Sequence, residues 1–384
     1  MQYRFTLFSA CLLLVALPLA AQKVQVPVNA GAAFLLVNPD ARSGSVGDAV
    51  TGLEPNVNDL FGNAAKIVFA GDWGVSASYS PWMWEVNDRK THMGHIAAFK
   101  NFNELEGVGA SLKYFDHGDI TFRDNNGMML QQYHAVEYAL DATYARKLGQ
   151  HLSLAVSLRY IRSQLGQGSY NGLQQKPASA GAGDVGLYYQ NYSDILDYGN
   201  RYCWGISFTN IGSKLSYTDD NNRRTFLPMN LRIGGGFTFV NTADHQFTIL
   251  ADINKLLVPT PPEYQLDANG QPTNVILKGK DPNRGVVSAM FTSLWDAPGG
   301  FQEELREFTA GGGLEYNYQH QFFARAGYFY EHPNKGYRQH FSAGVGLRIH
   351  SLQLDAAYRM PTTGVLQRAS LQFSVIYTRP ATKQ

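Results

Sequence analysis

The chain has 384 residues, with 32 Lys+Arg against 31 Asp+Glu, 44% hydrophobic, 13% aromatic and only 16% charged residues, and 38 glycines. Plentiful aromatics at near-zero net charge exclude a disordered chain, and the lack of a basic excess argues against any nucleic-acid partner. Length alone suggests two or three soluble domains, but many Gly, Tyr and Phe with few charges and a mean hydropathy of -0.25 also fit one large barrel whose lipid-facing residues alternate with polar ones.

Arg4 is the only charge in the first 22 residues, an apolar run from Phe8 to Ala21 is broken only by Ser9, and Ala20-Ala21 precede Gln22. This pattern predicts a secretory signal peptide over 1–21, because the run is shorter than the roughly 20 residues of a spanning helix. Cys11 stands too early in the run to be a lipoprotein cysteine. Cleavage would remove Arg4 and Cys11, leaving a formally neutral chain with Cys203 alone, which cannot form an intramolecular disulfide. No later stretch is apolar enough for a helical span. An exported chain that resides in a membrane must then cross it as a closed barrel, since only helices and barrels satisfy every backbone group in lipid.

Residues 22–70 show no alternation and carry Pro27, Pro39 and Pro55. The apolar stretch Ala32–Val37 and the pair Leu60-Phe61 favour a plug packed in the barrel mouth over a loose tail. From residue 71 to 384 the chain reads as barrel. Fourteen strands are predicted near 73–79, 92–102, 107–115, 134–146, 151–162, 182–190, 202–211, 229–240, 246–256, 308–318, 321–330, 340–349, 351–360 and 369–378. The last is typical: Leu371, Phe373, Val375 and Tyr377 share one face, Ser370, Gln372 and Ser374 the other. The connections alternate between long (80–91, 116–133, 163–181, 212–228, 257–307, 331–339, 361–368) and mostly short (103–106, 147–150, 191–201, 241–245, 319–320 and the His350 corner). That sorting points to a 14-stranded antiparallel transmembrane outer-membrane β-barrel with short periplasmic turns, long extracellular loops and periplasmic termini. Outer-membrane lipid and lipopolysaccharide would surround it. Tyr and Trp at strand ends, such as Trp73, Tyr79, Tyr144 and Tyr377, suit interfacial girdles. Charges on strands, such as Asp252, Arg325, Arg348, Asp355 and Arg359, should face the lumen, because Arg or Lys on the lipid face at mid-depth costs about 2–4 kcal/mol.

The connection 257–307 is far longer than an unstructured loop usually is in a compact domain. It opens on Val258-Pro259-Thr260-Pro261-Pro262 and closes on Trp295-Asp296-Ala297-Pro298-Gly299-Gly300-Phe301. Phe301, Leu305 and Phe308 fall on one helical face, with Glu303, Glu304 and Glu307 largely off it. Such a helix can pack its apolar face on the barrel rim or offer it to another protein. The candidate partner surface is therefore Pro259, Pro261, Pro262, Trp295, Pro298, Phe301, Leu305 and Phe308.

Chemical motifs are sparse, and no catalytic, metal or cofactor site is expected. Gly181-Ala-Gly183-Asp-Val-Gly186 matches GxGxxG without the strand before and helix after that a dinucleotide site needs. His92 and His95 would point to opposite faces of a strand, against a shared zinc ion. The pairs His340/Ser342 and His151/Ser153 each share a face, as a membrane acyl hydrolase would require, but no orienting third residue accompanies either.

Five segments carry a family resemblance: Asn38-Pro39-Asp40-Ala41-Arg42-Ser43-Gly44-Ser45-Val46-Gly47-Asp48-Ala49, Phe226 to Gly234, Asp252 to Pro262, Asp296 to Phe308, and Ala326 to Gly336. Through these the chain resembles the PorV (LptO) family of outer-membrane components of the Bacteroidetes type IX secretion system, within the wider FadL-like fourteen-stranded barrels. One departure is visible: Asn63-Ala64-Ala65 stands where the family shows Asn-Pro-Ala. The resemblance implies a non-enzymatic carrier. It would receive the C-terminal sorting domain of exported cargo at a SprA/Sov-type translocon pore and bring it to an attachment complex containing a PorU-type sortase. A FadL-like transporter of hydrophobic small molecules and a lipid A acyl hydrolase are the alternatives.

Overall fold

The computed structural model describes residues 30–81, 91–123, 127–166, 168–170, 173–191, 199–220, 223–362 and 369–380. The predicted signal peptide, residues 22–29, and most of the connections 80–91, 191–201 and 361–368 lie outside the described residues. Fourteen strands form one closed antiparallel barrel in chain order. They are β1 (Trp73–Pro81), β2 (His92–Asn101), β3 (Glu106–Arg123), β4 (Met129–Lys147), β5 (Leu152–Gln164), β6 (Ala178–Gln190), β7 (Arg201–Gly212), β8 (Asn230–Asn241), β9 (His245–Leu256), β10 (Phe308–Tyr318), β11 (Phe322–Tyr330), β12 (His340–Ile349), β13 (Leu352–Pro361) and β14 (Ser370–Arg379). β1 pairs with β14 from Trp73↔Arg379 to Tyr79↔Phe373, so no sheet edge is left open.

The alternation read from the sequence becomes an inside-out wall. Along β14, Phe373 and Val375 are exposed to the outside while Ser370, Gln372 and Ser374 are buried inside. Phe341, Val345, Leu158 and Val156 likewise face out. Asp252, Arg325, Asp355 and Arg359 are buried towards the lumen. Polar atoms can be satisfied there, whereas the outer face meets only hydrocarbon. Tight turns close the short-connection end: Gln319 and His320 both adopt positive φ in a turn closed by Gln321 N donating to Tyr318 O at 3.0 Å, so that three residues join the paired ends Tyr318 and Phe322.

Several long connections carry more structure than the sequence suggested. The loop expected at 116–133 is mostly strand: β3 runs to Arg123 and β4 starts at Met129, with a register shift between Asp116 and Gly118. Polar residues on both faces hide the alternation there. β6 begins at Ala178, ahead of the predicted 182, so Gly181, Gly183 and Gly186 all lie within a strand. The connection 257–307 holds a hairpin (Glu263–Leu266 with Pro272–Lys278) and two helices, Val286–Thr292 and Phe301–Arg306.

Residues 30–70 lie inside the barrel and cross it. Gly31 N donates to Phe226 O, in the connection between β7 and β8 at the long-loop end, and Asp72 N donates to Arg379 O at the short-turn end. Strand parity places the start of β1 and the end of β14 at one end, but does not govern the residues upstream: Ala30 stands at the other. Phe34, Leu35 and Leu60 are buried. At the family departure, Asn63 caps the 3-10 helix Ala64–Phe69 by accepting from Ala65 N, and its Nδ2 donates to Leu187 O at 2.9 Å. A capping amide anchored to the wall thus restrains the turn that a proline would otherwise pre-set.

Candidate functional site

The inner segment is joined to the wall by polar contacts that sequence spacing could not pair. Asp252 accepts from Val50 N (2.9 Å), Thr51 N and Thr51 Oγ1. Arg359 reaches Asp48 at 2.7 Å, and Arg348 reaches Glu54 at 3.0 Å. Arg42 is fully buried, donates to Glu54 O at 2.7 Å and lies 3.5 Å from Glu315, which also holds Arg325. These contacts place the strand charges named from the sequence in lumen ion pairs, which removes the penalty of an unpaired buried charge.

Both serines of the hydrolase-like pairs serve this seating. Ser342 Oγ accepts the Gly47 N–H at 2.9 Å, and Ser153 Oγ donates to Ala65 O at 2.6 Å. His340 stacks on Phe329 and its Nε2 lies 3.9 Å from Asp48. Ser342→Ala is therefore expected to leave lipid A acylation unchanged. It should lower stability by about 1–3 kcal/mol, the cost of leaving the Gly47 N–H unpartnered; lipid A mass spectra and denaturant titration in detergent read the two effects. A change in acylation would restore the hydrolase reading. His95 is buried on the lumen side of β2, whereas His92 lies against the rings of Tyr79 and Tyr114 on the other face. Among the described residues no cluster of His, Cys, Asp and Glu could hold a metal ion.

The long loop is built around buried charge. Glu307 accepts from Lys335 at 2.9 Å, from Thr260 Oγ1 at 2.8 Å and from Lys255. Glu304 accepts from Lys255 at 3.0 Å and, through its other oxygen, from Ala297 N. Glu303 pairs with Lys335 at 2.5 Å and accepts from Gly299 N. Asp296 accepts from Thr260 N; burial pushes its carboxyl pKa up more than the Thr260 hydrogen bonds pull it down. Both lysine side chains are at most 2% exposed. The two ends of the loop and the turn after β11 are thereby tied at one point.

That network turns the helix Phe301–Arg306 the opposite way from a rim-packing helix. Its glutamates are buried, while Phe301 is 76% and Leu305 54% exposed. Trp295 is 58% exposed, with Lys280 Nζ 5.2 Å from its ring centre. Val287 and Phe291 of the preceding helix also face out, while its Ala289 packs into a rim cluster with Phe226, Met229, Leu257 and Val258. Of the sequence-predicted surface, Trp295, Phe301 and Leu305 are displayed. Pro261, Pro262 and Pro298 are half-buried, and Pro259 is buried in the loop base. Phe308 is not on the helix at all: it opens β10 and is half-buried. The outward Val287 and Phe291 were missed, although their i, i+4 spacing was a usable signal.

Beneath the loop base lies a lumen cavity of about 230 Å³, lined on one side by Leu35–Asn38 and Phe61 of the inner segment and on the other by the wall and loop base. Arg232, Arg359, His340, Glu307 and Lys335 are among its lining residues.

Comparison with known proteins adds the family. The model of the family described as "Type IX secretion system protein PorV" matches residues 20–263. No relative was found among curated proteins. Solved structures with a similar shape include the CymD monoaromatic hydrocarbon channel (14% identity, 90% of this chain and 98% of that one, TM-score 0.53). The toluene transporter TbuX of Ralstonia pickettii is comparable (10%, 88% and 98%, 0.50). A FadL homologue from Pseudomonas aeruginosa scores lower (9%, 92% and 99%, 0.46). At such identities the first two likenesses concern the fold alone.

Proposed function

This chain belongs to the PorV family of type IX secretion system proteins, and from that premise we propose that it is an outer-membrane carrier that receives the C-terminal sorting domain of exported proteins and delivers it to the attachment machinery. The long-loop end faces outside the cell in this reading and the short-turn end the periplasm. Residues 30–70 act as a plug that keeps the barrel from leaking. A SprA/Sov-type pore and a complex containing a PorU-type sortase are the partners before and after transfer, and no covalent step falls to the carrier.

One observation supports the reading above others: a helix whose carboxylates are buried in a salt-bridged base while Phe301 and Leu305 are exposed, as is Trp295 before it in the chain. Displayed aromatic and aliphatic anchors on a rigid base are what a protein partner requires. The transporter alternative would use the lumen cavity, whose surface is more apolar than polar although Arg232, Arg359, Glu307 and Lys335 border it. Replacing Trp295, Phe301 and Leu305 together by Ser is expected to leave barrel assembly intact and to cut recovery of sorting-domain cargo in mild-detergent pull-downs at least tenfold, the loss of one hot-spot cluster. Undiminished cargo recovery would move the contact to another surface.

A further inference from the structure

The lumen cavity holds polar atoms that the fold leaves without partners. Asn38 is 2% exposed, and neither atom of its amide side chain is hydrogen-bonded, although its backbone carbonyl is fixed by Gln372 Nε2 at 2.8 Å. Arg232 Nη1, Arg359 Nε and His340 Nε2 are likewise buried and unpartnered. All four residues line the cavity. Arg359 has Asp48 as a counter-charge at 2.7 Å, whereas Arg232, whose Nε donates to Asn254 Oδ1 at 2.9 Å, has as its counter-charge among the described residues Asp252 at 3.9 Å, a carboxylate already holding the Val50 and Thr51 amides. A half-buried guanidinium with a distant counter-charge and several buried donor atoms without acceptors cost free energy unless something supplies the acceptors. The five segments that carry the family resemblance all reach this one cavity, contributing Asn38, Arg232, Asn254, Glu307 and Lys335 in turn.

The missing acceptor is anionic, because the donors include two guanidiniums, and it is small, because about 230 Å³ takes a chain end and not a folded domain. The rest of the lining mixes Leu35, Val37 and Phe329 with Thr209, Asn230 and Asn254. An acyl chain would leave those amides and hydroxyls unpaired, whereas a polypeptide backbone can pair with them. We propose that the cavity captures the C-terminal carboxylate and last residues of an exported protein, with Arg232 as the principal charge partner and Asn38 as a hydrogen-bonding partner. This rests on the carrier reading: the loop surface would hold the sorting domain while the cavity reads its chain end.

The test uses the full-length barrel in detergent. Its probes are a whole sorting domain, a short synthetic peptide copying the domain's C-terminus as free acid and as C-terminal amide, and palmitate as competitor. The free acid should bind the wild type about 10–100-fold more tightly than the amide, the range for a hydrogen-bonded charge. In Arg232→Gln that ratio should collapse towards one, and Asn38→Ala should weaken the free acid while leaving the barrel's gel mobility unchanged. The collapse is a coupling between one side chain and one ligand group, which a purely structural defect would not produce. Equal binding of acid and amide, with the whole domain still bound, would overturn the cavity proposal and leave the carrier reading intact. Failure of the whole domain to bind would sink the carrier reading, and this proposal with it. Displacement of palmitate by neither peptide form would mark a lipid pocket and also overturn it.

Discussion

Replacing Glu307 by alanine is expected to detach the long loop from the barrel mouth. The carboxylate is shared by Lys255, Lys335 and Thr260, and both lysines are almost wholly buried. Removing it leaves two ammonium groups with one carboxylate each, Glu304 and Glu303. Breaking a buried ion pair from one side costs about 3–5 kcal/mol, close to the whole stability that a local loop unit can have. Amide exchange across 257–307 should therefore rise sharply, while exchange in β1–β14 below the rim changes little. Cargo recovery should fall with it, because Phe301 and Leu305 are held outward only by the buried side of their helix. Glu307→Gln keeps an acceptor for Thr260 and should be milder. Unchanged exchange in the loop would mean that the network does not hold it.

Gly327→Val is expected to unseat the inner segment. A Cβ at this position on β11 would stand 2.2 Å from the Val46 carbonyl carbon and 2.3 Å from Gly47 N. Those are backbone atoms, so no rotamer change relieves the clash. Moving them strains the neighbouring anchors, Gly47 N to Ser342 and Asp48 to Arg359. Overpacking of this kind costs roughly 1–3 kcal/mol or more, added to the unpaired Gly47 N–H if that bond also breaks. The expected results are a rise in single-channel conductance in planar bilayers and loss of amide protection over 42–52. Ala326→Val, one residue away on the lipid-facing side, is the matched control and should do neither. A closed, fully protected Gly327→Val barrel would falsify the view that this glycine makes room for the segment.

Gly311, Gly313 and Gly344 belong to the same seat: a Cβ at any of them would fall within 2.6 Å of atoms of Ser45, Val46 or Gly47. The sequence over 308–318 reads as one strand through Gly311-Gly312-Gly313. Nothing local told that the space at Gly311, Gly313 and Gly344 is taken by Gly47, Val46 and Ser45, hundreds of positions upstream. Asn38, Arg232, Glu307 and Lys335 were each legible as members of resemblance segments, yet their meeting around one cavity was not.

The linear order of residues was sufficient for the barrel. Side-chain direction on a strand repeats every two residues, so the fourteen strands could be located locally, and the sorting of long and short connections then assigned their greasy face to the outside. The same reading separated Phe301 and Leu305 from Glu303, Glu304 and Glu307 but could not say which side is buried. That choice belongs to Lys255, at the end of β9, and Lys335, in the turn after β11, which make the acidic side the one that must leave water. Periodicity is a property of neighbours in the chain. Burial, ion pairing and the cavity depend on which distant segments meet, and only closure of the barrel around residues 30–70 decides that.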